Sequence, residues 1–334
     1  MTTCTDPAGM PIESEPQAIS VVVPLFNEER TIDSLFASLV VQTLRPREVI
    51  FVDAGSTDRT AGILEAFRAP FPLRILRRGR LNPGEARNEG TREASTDWVA
   101  FADGGTELVP SWLFELERSA RTTGADVVFG TYDPTCDTFF RRCAALAYVP
   151  ARGSQGIRGP FVGSMAIRRG VFWKVGGFPE YRAAEDLIFL ENLARTDARV
   201  AYAPNALALW QTAPSAGTTF RRFLAYSEAN LWAGRARFWH LGVARQYAVV
   251  GSAALALVVA GQVAVAGAAV LTWMVARTLR AGLAKRGSFP FDTLGPGYLS
   301  GAAGVLVIID AATACGALRW AWKRISSRSR GDRG

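Results

Sequence analysis

Two short apolar runs of strand character each end in an acid. Trp98-Val-Ala-Phe-Ala102 stops at Asp103-Gly104-Gly105, and Glu48-Val-Ile-Phe-Val52 stops at Asp53-Ala-Gly-Ser-Thr57. A carboxylate at the carboxyl end of a parallel strand, beside small residues that leave the backbone open, suits a phosphate-bound metal or a ribose. Asp-Gly is equally ordinary turn chemistry, so either stretch alone also reads as a strand followed by a solvated turn. A further acidic pair, Glu185-Asp186, opens a helix, where the macrodipole by itself favours negative charge. Asn82-Pro-Gly-Glu-Ala-Arg87-Asn88 starts another helix that carries a guanidinium close to its amino terminus, where anions bind.

The remaining chemistry is bounded by what is scarce. The chain holds one histidine, His240, and four cysteines, Cys4, Cys136, Cys143 and Cys315, with no CxxC spacing. A structural zinc site, a His-dependent nucleophile triad and a two-His iron site are therefore poor fits, which leaves carboxylates, basic residues and backbone to do the work. The formal net charge is +8 over 334 residues. The basic residues crowd around 221–245, 277–286 and 319–333, beside long apolar stretches, so anionic lipid headgroups are the expected partner and nucleic acid is not.

Hydrophobic periodicity positions these residues. The alternation through residue 102 reads βαβαβαβ, giving a parallel sheet with helices on both faces and with Asp53 and Asp103 on one edge. Residues 1–18 lack the pattern of a signal peptide and read as a disordered leader.

Val21-Val-Val-Pro-Leu-Phe-Asn-Glu-Glu29, Phe51-Val-Asp-Ala-Gly-Ser-Thr-Asp-Arg-Thr60, Pro83-Gly-Glu-Ala-Arg-Asn-Glu-Gly90 and Phe101-Ala-Asp-Gly-Gly105 stand in an order and spacing that resemble the family 2 nucleotide-sugar glycosyltransferases. The resemblance covers roughly residues 19–240. It implies a GT-A fold, a nucleotide-diphosphate sugar donor and inversion at the anomeric carbon. Carried over, it gives Pro24, Asn27 and Glu28 to the base and ribose pocket, Asp53 to uracil or ribose, and Arg87 with Asn88 to the nucleotide or diphosphate. Asp103 matches the first acid of the family's Asp-x-Asp element, which holds a divalent cation, Mg²⁺ or Mn²⁺, on the departing diphosphate. Gly105 replaces the second acid, and Glu107 reaches the site only if the turn folds back. Gly163 and Ser164 fall in a small-residue strand passing close to the sugar. Glu185-Asp186 matches the family's Glu-Asp motif, which implies Asp186 as the general base and Glu185 as the group that orients the acceptor or supports the turn.

Beyond the cleft residues, Thr219–Trp239 alternates basic and aromatic groups at helical spacing. It reads as an interfacial helix, with Arg221 or Arg222 either against headgroups or facing the donor diphosphate. Tyr247–Ala276 contains no charge and is long enough to span a bilayer, and Gly295–Leu318 is apolar apart from Asp310. Together they predict a transmembrane helical hairpin with both ends cytoplasmic; a re-entrant first segment, broken near Gly261-Gln262, is the alternative. Asp310 is either a functional group within the span or near the interface of a shorter one.

The expected organisation is α/β: a GT-A domain over 19–215, an interfacial region over 216–246, two membrane segments over 247–276 and 295–318, and a basic tail over 319–334. The layout resembles bacterial exopolysaccharide enzymes of the succinoglycan type. That implies a multi-pass plasma-membrane protein, its catalytic domain cytoplasmic, passing sugar to a lipid-linked or polysaccharide acceptor. The other class considered is a non-catalytic nucleotide-sugar-binding or scaffolding subunit of a polysaccharide assembly complex.

Overall fold

The computed structural model describes residues 17–181 and 184–331, with side chains through 326. Almost all of the expected leader, and Cys4 with it, lies outside the described residues, as do 332–334. The first half follows the expected alternation: β1 (Ile19–Leu25), α1 (Ile32–Val40), β2 (Glu48–Asp53), α2 (Thr60–Ala66), β3 (Leu73–Arg77), α3 (Pro83–Glu93) and β4 (Trp98–Ala102). All four strands are parallel. The chain continues through β5 (Thr106–Leu108), α4 (Trp112–Thr123), β6 (Val127–Pro134), α5 (Phe139–Tyr148), β7 (Ser164–Arg168), α6 (Arg169–Val175), α7 (Glu185–Leu193) and β8 (Val200–Trp210). The eight strands form one sheet in the order β3-β2-β1-β4-β7-β6-β8-β5, with β7 antiparallel to β4.

Continuous burial of β1, β2 and β4 follows from helices covering both faces of the sheet. Val21, Phe51 and Ala100 meet α1 and α4 on one face, through Phe36, Trp112 and Leu116. Val22, Phe101 and Met165 meet α3, α6 and α7 on the other, through Ala86, Phe172 and Phe189. The second face depends on Gly90: a Cβ there would come within 2.3 Å of Val22 Cγ1 and 3.2 Å of Val52 Cγ2. Gly90→Ala is therefore expected to destabilise the domain by about 1–3 kcal/mol, the usual cost of overpacking, read as a lowered thermal midpoint.

Four helices complete the chain: α8 (Ala216–Trp232), α9 (Ala236–Val259), α10 (Val263–Ala284) and α11 (Pro296–Gly331). Gly234, at φ 71°, ends α8, so the continuous interfacial helix expected over 219–239 is two elements. Likewise the segment expected over 247–276 is interrupted, at the place where the re-entrant alternative put its break: Gly261, at φ 77°, turns the chain between α9 and α10. By length and composition Ala236–Val259, Val263–Ala284 and Pro296–Ser326 could each cross a membrane, three helices in place of the two expected.

Candidate functional site

The carboxyl ends of β1, β2 and β4 open on a cleft of about 1230 Å³, closed on its far side by the start of α7, the end of β8 and one face of α8. Asp103 leaves β4 directly into it. The approach is crowded: a Cβ on Gly163 would lie 2.6 Å from Asp103 Oδ2, and one on Gly104 would lie 2.6 Å from Leu25 and 2.9 Å from Glu28. These glycines let the backbone pack behind the acid.

Arg87 lies at the centre of the polar groups. Its helix begins with Pro83, and Glu85 Oε2 accepts the Asn82 N–H at 2.6 Å, fixing the first turn. Gly84 lets that turn close on α7, since a Cβ there would meet Glu185 Cγ at 3.0 Å. One turn on, the Arg87 side chain is 4% exposed and forks: Nη2 donates to Asp103 Oδ1 at 2.6 Å and Nη1 to Asp186 Oδ1 at 3.1 Å. The guanidinium also lies 5.3 Å from the Phe178 ring centroid. Despite losing water, it is held more firmly protonated than a free arginine, first by Asp186 and then by Asp103 and Glu185.

Asp186 responds in the opposite sense. Loss of water raises its carboxyl above the usual aspartate range, Arg87 opposes the rise and the charge of Asp103 adds to it. Some 41% of its side chain still meets the open cleft. Across the cleft, burial raises the Glu28 carboxyl, with Asp103 and Asp58 adding while the hydrogen bond from Thr31 and the charge of Arg222 oppose. On α8, the Arg222 guanidinium lies 5.6 Å from the Trp210 ring centroid, and its Nη1 makes no hydrogen bond among the described residues. Burial raises the Tyr226 phenol one turn away, Arg222 opposing and the acids at 185 and 186 adding.

The structure thus brings Pro24, Asn27, Glu28, Arg87, Asp103, Glu185, Asp186 and Arg222 to one cleft. Asn27 takes the left-handed conformation, φ 58°, and its Oδ1 accepts the Thr57 N–H at 2.8 Å, tying the loops after β1 and β2 together. Other expected residues stand apart. Asp53 is buried and accepts the Ser56 N–H at 2.9 Å, and it is its neighbour Ala54 that lines the cleft. Asn88 points away, donating to the Phe178 carbonyl at 2.8 Å and accepting its N–H at 2.9 Å, so it pins the turn after Gly176-Gly177. Ser164 is a core residue: its hydroxyl accepts from Trp112 Nε1 at 2.8 Å and donates to the Ala206 carbonyl at 3.0 Å. Gly163 backs Asp103. Arg221 is exposed, one position around the helix from the face that lines the cleft. Glu107 also points out of the cleft, because β5 pairs with β8 and places Thr106 and Leu108 inward.

Sequence reasoning missed Tyr148, Trp210, Tyr226, Asn230 and Trp239, all of which line the cleft. For α8 a signal existed: Arg222, Tyr226 and Asn230 recur every fourth residue, one helix face. Trp210 and Tyr148 come together only through the sheet and α5.

Comparison with known proteins agrees with this geometry. Residues 20–176 match the model of glycosyl transferase family 2. An uncharacterized glycosyltransferase of Escherichia coli K12, YibD, is 31% identical over 110 residues, covering 33% of this chain and 32% of YibD. The cholesterol galactosyltransferase of Borreliella burgdorferi is 28% identical over 33% of this chain and 31% of its own length. The chain spans about a third of the length of these curated relatives. Among solved structures, the mannosyltransferase PcManGT of Pyrobaculum calidifontis, in complex with GDP-Man and Mn²⁺, superposes with a TM-score of 0.56 at 20% identity, covering 93% of this chain and 88% of that one. Motifs and family match together make residues 20–176, within the α/β domain, similar to glycosyl transferase family 2.

Proposed function

We propose that the cleft transfers a sugar from a nucleotide-diphosphate donor to an acceptor hydroxyl with inversion, and that the acceptor is lipid-linked or a growing polysaccharide at the cytoplasmic membrane face. The observation that carries this reading is the link Asp103–Arg87–Asp186, which sets a donor-side acid and an acceptor-side acid at fixed places on either side of one guanidinium. The acceptor oxygen attacks the anomeric carbon as the bond to the diphosphate breaks, and its proton passes to the Asp186 carboxylate. Glu185, packed against the α3 amino terminus, holds the start of α7 in place. Pro24, Asn27 and Ala54 line the nucleotide end, and Arg222, on the cleft-facing side of α8, offers the diphosphate a cation.

Among the described residues no group of three His, Cys, Asp or Glu side chains could hold a metal alone. The residues present fit an ion delivered on the diphosphate, which needs only one or two carboxylates from protein. Asp103 and Glu28 would hold it: a Cβ on Gly105 would lie 3.7 Å from Glu28 Oε2, so Glu28 occupies the space toward which the missing second acid would point. When bound, such an ion neutralises charge on the departing diphosphate. PcManGT, with its Mn²⁺, supports the same provision here.

The test is transfer by the full-length protein in lipid, with a panel of radiolabelled sugar nucleotides, membrane extract, and Mg²⁺, Mn²⁺ or EDTA. One donor is expected to label a lipid-extractable or polymeric product. No transfer with any donor, alongside intact nucleotide binding, would instead support the scaffolding-subunit reading.

A further inference from the structure

We infer that this chain enters only one leaflet of its membrane: α11 lies in the plane of the headgroups beneath the catalytic domain, and the α9–α10 hairpin dips from it into the nearer leaflet without crossing.

The helix α11 is fastened to the catalytic domain at both ends. Toward its start, Arg142 Nη1 on α5 donates to the Tyr298 hydroxyl at 2.9 Å, and Gly301 sits so close to Cys143 that a Cβ would come within 2.3 Å of its Sγ. Toward its end, Ser227 on α8 donates to the Thr313 carbonyl at 2.8 Å, and Glu228 pairs with Arg319 at 3.2 Å and with Lys323. From Tyr298 to Lys323 the helix rises roughly 38 Å at 1.5 Å per residue, more than the ~30 Å hydrocarbon core. An upright α11 would therefore carry α5 and α8, with Arg142 and Glu228, through the lipid interior, where such charges are costly. A flat one leaves them in water. Its outer face suits that position, since Val307, Leu318, Trp322 and Ile325 are exposed on one stripe at helical spacing.

Asp310, midway along α11, fixes where the hairpin departs. Its carboxylate accepts from Arg277 of α10, Nη2 at 3.0 Å, and from the Tyr247 hydroxyl of α9 at 2.7 Å. Beyond this cluster, residues 248–276 carry no charge. Some thirteen residues in each arm reach roughly 20 Å, about to the bilayer midplane and short of the far side. Val249, Leu255, Val259, Val263 and Leu271 are exposed along these arms. At the tip, Gly261 N–H donates to the Val258 carbonyl at 2.9 Å and Gln262 N–H to the Leu257 carbonyl at 2.8 Å. That closes the end of α9 with its own backbone, as a lipid interior requires.

Charge completes the fit. Exposed Arg237, Arg245, Arg280, Arg286 and Arg324 surround the base of the hairpin and the end of α11, whereas residues 236–331 contain only two acids, Asp292 and Asp310. Anionic headgroups match that ring. With no crossing, the basic residues between α10 and α11 stay on the catalytic side, which removes the conflict that a transmembrane hairpin creates with the distribution of positive charge.

The test labels single cysteines in full-length protein with a membrane-impermeant maleimide, in sealed vesicles of each orientation, with peptide mapping to separate the native cysteines. Gln262→Cys is expected to stay unreacted from both faces until detergent is added, while Asp292→Cys reacts from the face that exposes the catalytic domain. Reaction of Gln262→Cys from the opposite face would establish a crossing, and reaction from the catalytic face would show an uninserted hairpin; either overturns the proposal. A second measurement uses Val259→Glu, at a side chain exposed enough to leave folding intact. It should weaken cosedimentation with phosphatidylglycerol vesicles on the order of tenfold or more, and unchanged binding would also overturn the proposal.

Discussion

Replacing Arg87 with Leu is expected to abolish transfer while leaving a folded protein. The guanidinium is almost wholly buried, but Asp103 and Asp186 keep 30% and 41% of their side chains exposed, so water can partly take over its role toward each acid. That limits the stability loss to about 1–3 kcal/mol, below the figure for a fully buried pair broken on one side. Catalysis has no such relief. Without the fork the two carboxylates repel and move apart, and a displacement of about 1 Å at a reacting group costs on the order of 10²-fold. Arg87→Lys should recover stability ahead of activity, because one ammonium cannot hold both acids with the geometry of a planar fork. Thermal unfolding and kcat on the same preparations check this: equal recovery of both by lysine would show that Arg87 serves the fold alone.

The second large effect belongs to Asp186. Asp186→Asn keeps an oxygen for Arg87 Nη1 but cannot take a proton, so kcat should fall by on the order of 10²–10⁴ with nucleotide-sugar affinity unchanged. Transfer unaffected by the change would remove Asp186 as the base. Its pH dependence follows from its surroundings. In the proposed role Asp186 works ionised, and burial lifts its carboxyl above the usual range, with Arg87 opposing and Asp103 adding. Activity is therefore present above the raised pKa and is lost as pH falls through it. The acid limb of kcat/KM should lie higher than for an ordinary aspartate, near 3.9, and Asp103→Asn should shift it downward by removing a negative neighbour.

Much of the α/β domain was legible because its first half is written locally. β1, β2 and β4 carry the apolar runs 21–25, 49–52 and 98–102, which mark strands buried on both faces. Asp103 and Asp186 were legible as acids at element ends. Their connection was not, since Arg87 and Asp186 lie 99 residues apart and nothing near either names the other. Ser164 and Asn88 misled for a related reason: a small polar residue inside a recognised motif looks like a ligand contact, yet each satisfies a buried backbone group, a need set by neighbours distant in sequence. Composition gave the apolar character of the last third. It left open the direction of each helix, which follows from Gly261 and from α11 packing on α5 and α8.

The attachment of α11 also bears on how the protein is made. Arg142 waits for Tyr298, 156 residues later, and Ser227 for Thr313, 86 residues later. At roughly 5–20 residues per second, α5 emerges about 10–30 s before its partner does. In that interval the surfaces of α5 and α8 destined for α11 are bare, and loop closure over such separations is slow. A ribosome that stalls after α10 would thus hold out an α/β domain with an open flank, exposed to aggregation or to capture by a chaperone.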